Sequence, residues 1–168
     1  MHLMKRVPIL VFSLLLSFFF FTACKKPVVY PAIPAITLKD FTMFKSLTGT
    51  DSIGVLRLNF TDGDGDLGLH DADTLPPFDK NSKFYYNVFT KYYEKRNGVW
   101  VELTLPFPDN FRIPFLTADG RSKAMKGEII IQMPVNPFAF YDTIKYDVWI
   151  ADRALHESNV VTTNDIIL

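Results

Sequence analysis

From residue 36 onward the apolar positions recur at every second place rather than at helical spacing, which is the signature of strands half-buried in a sheet. Leu56, Leu58 and Phe60 are separated by Arg57 and Asn59, and a cluster of turn residues follows. Ile144, Tyr146, Val148 and Ile150 alternate with Lys145, Asp147 and Trp149 in a strand expected over residues 143–151. Residues 128–133 form an almost continuous apolar run, the pattern of a strand covered on both faces. Further strands are expected over 36–44, 84–95, 99–105 and 159–167.

Asn97-Gly98 stands between two of these runs. Both residues tolerate the positive φ of a two-residue type I′ turn, so the pair predicts a hairpin with a fixed register. Arg96 then faces Val99, Lys95 faces Trp100, Glu94 faces Val101, Tyr93 faces Glu102 and Tyr92 faces Leu103. One face carries Val88, Thr90, Tyr92, Val101, Leu103 and Leu105 towards a core. The other carries Lys91, Tyr93, Lys95, Trp100, Glu102 and Thr104 towards solvent. About seven strands with two long connections, 62–83 and 106–127, predict one all-β domain over residues 35–168, a two-sheet sandwich rather than a closed barrel.

The first residues follow a different rule. Lys5 and Arg6 precede an apolar run over 7–21, and the small residues Thr22 and Ala23 lead to Cys24, the three parts of an export signal. A run of roughly 15 residues spans about 22 Å as a helix, too short for a comfortable membrane crossing. Phe21-Thr22-Ala23-Cys24 resembles the bacterial lipobox, with Phe21 in place of the usual leucine. Cys24 is the single cysteine of the chain, so no intramolecular disulfide competes for it. The resemblance implies cleavage after residue 23 and a diacylglyceryl group on Cys24, an anchor that holds the protein on a membrane. Residues 24–34 then form a tether in which Pro27, Pro31 and Pro34 favour extended chain, about 30 Å long at ~3 Å per residue. Lys25 and Lys26 follow the cysteine where surface-exported lipoproteins carry acids, which points to the periplasm-facing side of the bacterial outer membrane.

Two segments resemble known protein families. Residues 146–154, Tyr-Asp-Val-Trp-Ile-Ala-Asp-Arg-Ala, followed by Ser158-Asn159 and a final strand, are similar to the last two strands of fibronectin type III and related Ig-like domains. Residues 60–68, Phe-Thr-Asp-Gly-Asp-Gly-Asp-Leu-Gly, resemble a segment recurring in lipoproteins of Bacteroidota. The first resemblance implies that Tyr146 packs inward with its hydroxyl tied to a neighbouring loop. It also implies that the loop after the second strand and the loop before the last share one end of the sandwich, bringing Asp152 and Glu157 towards Asp62, Asp64 and Asp66.

Charge and motifs narrow the chemistry. The chain has 18 basic and 18 acidic residues with no basic stripe, so it has no electrostatic footprint for nucleic acid. Asp62, Asp64 and Asp66 alternate with glycine, and Asp71 and Asp73 follow. Short carboxylates interleaved with glycine suit a hard cation such as Ca²⁺, which takes six to eight oxygens. Leu67 and Asp73 stand where an EF-hand has glycine and glutamate, so the choice is between another kind of calcium loop, with Asp152 as a further ligand, and a solvated acidic turn. His70 and His156 are too few and too separated for zinc. No nucleophile elbow, phosphate loop or His-Glu-x-x-His motif occurs, so the expectation is a non-enzyme. Tyr93, Trp100 and Trp149 fall on outward positions; they are either covered by other chain segments or form a binding face for a glycan or protein partner. The expected function is a lipid-anchored envelope binding or adaptor protein, with a carbohydrate-binding accessory lipoprotein as the alternative and a small hydrolase with an acid pair behind it.

Overall fold

A computed structural model describes residues 28–45, 52–106, 109–116, 123–134 and 139–168. The export signal over 1–23, Cys24 and the first tether residues 25–27 lie outside the described residues. The strands are β1 (Ala35–Lys45), β2 (Ser52–Asp62), β3 (Val88–Arg96), β4 (Val99–Leu103), β5 (Met125–Pro134), β6 (Thr143–Ile150), β7 (Val161–Thr162) and β8 (Ile166–Ile167). They form two antiparallel sheets, one in the order β1-β2-β5 and the other β4-β3-β6-β7, with β8 also on β6. The all-β sandwich is therefore present, with eight strands among the described residues.

Period-two alternation decides which side chains meet between the sheets. Leu56, Leu58 and Phe60 of β2 and Ile129, Ile131 and Met133 of β5 face Tyr92 of β3 and Ile144, Tyr146, Val148 and Ile150 of β6, all buried. The hairpin has the register that Asn97-Gly98 dictates, residue for residue, and both turn residues have positive φ, 51° and 81°. Tyr146 is fully buried, and its hydroxyl donates to Asp109 Oδ2 at 3.3 Å in the connection that follows β4.

Four expectations are corrected. The strand over 128–133 is covered on one face only: Ile130 is 60% exposed between the buried Ile129 and Ile131, because alternation turns it away from the face packed on the second sheet. The strand expected over 84–95 begins at Val88; Lys83–Tyr85 form a 3-10 turn. The last strand breaks in two. Thr163 turns its hydroxyl into the ladder, accepting from the Tyr146 amide at 3.0 Å while its own amide donates to the Tyr146 carbonyl, and this separates β7 from β8. Finally, the core face of the hairpin also holds Glu94, which is 3% exposed. Its carboxylate accepts from Arg96 Nε and Nη2 at 3.1 and 2.8 Å and from the Tyr92 hydroxyl at 3.3 Å, which offsets its desolvation.

The two long connections are stitched to one another over one end of the sandwich. The Leu69 amide donates to the Ile113 carbonyl, and the Phe115 and Leu116 amides donate to the carbonyls of Leu69 and Leu67. The Asn87 amide group closes a two-way bond with the Ile113 backbone, at 3.1 and 2.6 Å. Leu67 and Leu69 are buried, so the chain leaving β2 is anchored immediately after its acidic stretch.

Tyr146 gives a check on this packing. Tyr146→Phe, which removes only the hydroxyl tie to Asp109, is expected to lower stability by about 1 kcal/mol, and Tyr146→Ala by about 3–5 kcal/mol, read from urea unfolding monitored by circular dichroism.

Candidate metal centre

Asp62 is the last residue of β2, paired with Met125 of β5. It shares strand parity with Leu56, Leu58 and Phe60, so the alternation that builds the core also turns this carboxylate inward. Asp62 is 0% exposed. Its Oδ2 accepts from the amides of Asp66 and Leu67 at 3.1 and 3.2 Å, curling the following loop back over the strand end. Gly65 supplies the positive φ of 71° that this curl requires. Asp66 is fixed from the opposite side: its Oδ2 accepts from the Ala154 amide at 3.1 Å, and its carbonyl accepts from the Arg153 amide at 3.2 Å.

One oxygen of each carboxylate is left over. Oδ1 of Asp62, Asp64 and Asp66 is shielded from solvent and has no hydrogen-bond partner. Among the described residues, these three acids form the group whose carboxylate oxygens approach within 4.8 Å of one another. Burial, reinforced by the neighbouring carboxylates of Asp64 and Asp66, pushes the Asp62 carboxyl up from 3.8 to about 6. Asp66 is also raised, first by burial and then by the charges of Asp152 and Asp64. Like charges held together away from water disfavour their own ionisation, and a bound cation reverses that balance.

The other expected ligands are engaged elsewhere. Asp152 is buried and close enough to act on Asp66, but its Oδ1 accepts from the His156 amide at 2.8 Å and its Oδ2 meets His156 Nδ1 at 2.9 Å. Asp73 gives both oxygens to the Arg153 guanidinium and also accepts from the His70 amide at 2.7 Å; the Arg153 partner holds its carboxyl below the usual range. Asp71 is exposed and outside the clustered set. Glu157 pairs with Lys83 and accepts from Trp149 Nε1. The shared loop end is therefore real for Asp152, which acts on Asp66 without joining the three converging oxygens.

Tyr93, Trp100 and Trp149 lie on one outer face but at different rungs. Phe89 pairs with Trp149, Lys91 with Asp147, Tyr93 with Lys145 and Lys95 with Trp100, so the Lys91–Asp147 rung stands between Trp149 and Tyr93. Trp149 stacks on Phe89 with centroids 5.4 Å apart. Lys95 and Lys145 approach the Trp100 ring at 5.2 and 4.5 Å. The Tyr93 hydroxyl donates to Asp147 at 2.9 Å, and burial together with that carboxylate pushes its ionisation up to about 12. All three rings are half-buried.

Backbone neighbours of the acidic loop were not readable from the motif. A methyl group at Gly63 would strike the Tyr30 carbonyl oxygen and lie 2.5 Å from that of Pro31, and one at Gly65 would strike the Lys123 carbonyl oxygen. The two glycines signal close backbone approach; the sequence does not say whose backbone arrives.

The raised Asp62 carboxyl sets a pH dependence of stability. Between the ordinary value of 3.8 and about 6, the folded chain keeps a proton that the unfolded chain has lost, so stability falls as pH rises through that window. In EDTA the midpoint of thermal unfolding is expected to drop by about 3–6 °C from pH 4.5 to 7, and Asp62→Asn is expected to flatten that fall, both read from circular dichroism melts. No family model matches this chain, and neither does a curated protein or a solved structure.

Proposed function

We propose that this chain is a lipid-anchored, non-enzymatic envelope adaptor whose sandwich is locked by Ca²⁺ at Asp62, Asp64 and Asp66. The observation that carries the metal reading is the gathering of three acids that each offer a carboxylate oxygen within 4.8 Å of the others, each also having a buried, unpartnered Oδ1. An all-oxygen donor set suits a hard cation. Zinc is disfavoured because His156, the histidine nearest the loop through Asp152, spends Nδ1 on that residue. Magnesium keeps several of its own waters, whereas these three oxygens are shielded from solvent. Calcium accepts irregular coordination and is available outside the cytoplasm, where a chain carried on Cys24 would stand.

The adaptor reading draws on the same features. The cation joins the end of β2 to residues 153–154, which already hold Asp66, so it would stiffen one end of a small domain for presentation to an envelope partner. The membrane link is the lipid on Cys24 after removal of residues 1–23.

Two measurements test this. Calcium at about 100 times its dissociation constant adds about 2.7 kcal/mol, so melts of the wild-type chain should rise by about 10 °C over EDTA. Asp64→Asn should abolish the rise, while Asp71→Asn should retain it. Intact-mass analysis of protein from native membranes should show a chain beginning at Cys24 with a diacylglyceryl adduct; a chain retaining Met1 or an unmodified thiol overturns the anchor.

A further inference from the structure

We infer that the cation at Asp62, Asp64 and Asp66 also docks the tether, so that calcium sets how far the domain stands from its anchor. The inference rests on the calcium reading above and adds a regulatory role for that site. Its basis is the closeness of the tether backbone to the acidic loop. Ala35 pairs with Thr61 and Ile36 with Phe60, so the start of β1 lies beside the end of β2 and the residues preceding β1 must pass the residues following β2. Asn159 fixes that approach, accepting from the Ile36 amide and donating to the Ile36 carbonyl, both at 2.9 Å. The Tyr30 and Pro31 carbonyls then lie directly against Gly63, leaving no room for a side chain. Contact along the same segment is local: Val28 and Val29 are 62% and 85% exposed, Tyr30 is half-buried, Pro31, Ala32 and Ile33 are exposed, and Pro34 is buried.

Gly63 sits between Asp62 and Asp64. A backbone rearrangement of the loop that separates their carboxylates therefore moves the surface on which Tyr30 and Pro31 rest. Without a cation, repulsion among the three acids favours such a separation. With one, the loop is drawn in and the surface against the tether is completed. Linkage makes this reciprocal: if calcium favours the docked tether, the docked tether strengthens calcium binding by the same factor. Docking holds residues 30–34 on the domain, and their release would add about 15 Å of reach at ~3 Å per residue.

The test uses the full mature chain, residues 24–168 with Cys24→Ser to keep it free of lipid, and calcium chloride as the only probe. Calorimetry reads binding, and hydrogen exchange with mass spectrometry reads the peptide covering residues 28–33. The expected result is calcium binding with at least tenfold slower exchange in that peptide, reversed by EDTA. Pro31→Gly, which leaves every carboxylate in place and raises the entropy lost on docking, should weaken calcium binding about three- to tenfold. Gly63→Ala should abolish the slowing, and Pro31→Gly keeps the test decisive if Gly63→Ala does not fold. Calcium binding with unchanged exchange at 28–33 and wild-type affinity in Pro31→Gly overturns the tether inference and leaves the calcium site standing. No binding heat and no calcium-dependent melt in the wild-type chain overturns both.

Discussion

Much of this structure answers to one constraint, a carboxylate turned into the sandwich at the end of a core strand. Asp62 follows Leu56, Leu58 and Phe60 in strand parity and is as buried as they are. An ionised carboxylate in that position needs compensation worth several kcal/mol. The two amides that donate to Oδ2 supply part of it, and they fold the acidic loop over the strand end. They do not serve Oδ1. The same curl that satisfies one half of Asp62 gathers Asp64 and Asp66 beside it, so local hydrogen bonding brings together three acids that could hold a metal ion.

The topology makes this a junction. Antiparallel pairing of β1 with β2 carries the tether past the loop, pairing of β2 with β5 brings in the segment ending at Lys123 and Met125, and the isolated bridge from Leu67 to Asp152 brings in the turn after β6. Three sequence-distant pieces of chain therefore meet at residues 62–66. Two glycines keep the approach tight: Gly63 against the tether and Gly65 against Lys123. The Asp-Gly alternation thus has two separable uses, carboxylates for charge and glycines for access, and a solvated turn requires neither at this density.

Legibility in the sequence followed the range of the forces involved. The hairpin was fully readable because Asn97-Gly98 sets its register locally, and the inward set on β6 was readable because alternation is local too. The exposure of Ile130 was not readable because whether anything packs on the outer face of β5 depends on the tertiary arrangement, which residues 128–133 do not encode. The split of the last strand depends on Thr163 finding Tyr146, a contact between different strands. At the site, the motif gave Asp62, Asp64 and Asp66 but could not show that Asp73 is drawn to Arg153, eighty residues away. One overlooked signal was present: counting parity from Leu56 to Asp62 already puts that carboxylate on the core face, as it does for Glu94 beside Tyr92.

The chain holds its own control for the plain-turn reading. Asp79 sits in an ordinary Asx-type turn, with Oδ1 accepting from the Asn81 amide at 2.9 Å and Oδ2 accepting from the Ser82 hydroxyl. Those bonds stabilise the ionised form, and the Asp79 carboxyl is held below its usual value. A turn that needs only itself uses both oxygens and favours its charge. Asp62, Asp64 and Asp66 do the reverse: each keeps one oxygen shielded and unpartnered, and Asp62 and Asp66 are pushed upward. Glu94 adds the complementary case, a carboxylate 3% exposed that the fold neutralises with Arg96. Where this protein buries a single acid it supplies a basic side chain. At residues 62–66 it buries three carboxylate oxygens together, while the nearby Arg153 is committed to Asp73 and His156 to Asp152. Among the described residues no basic side chain is hydrogen-bonded to these three oxygens, and the group is one that could hold a metal ion.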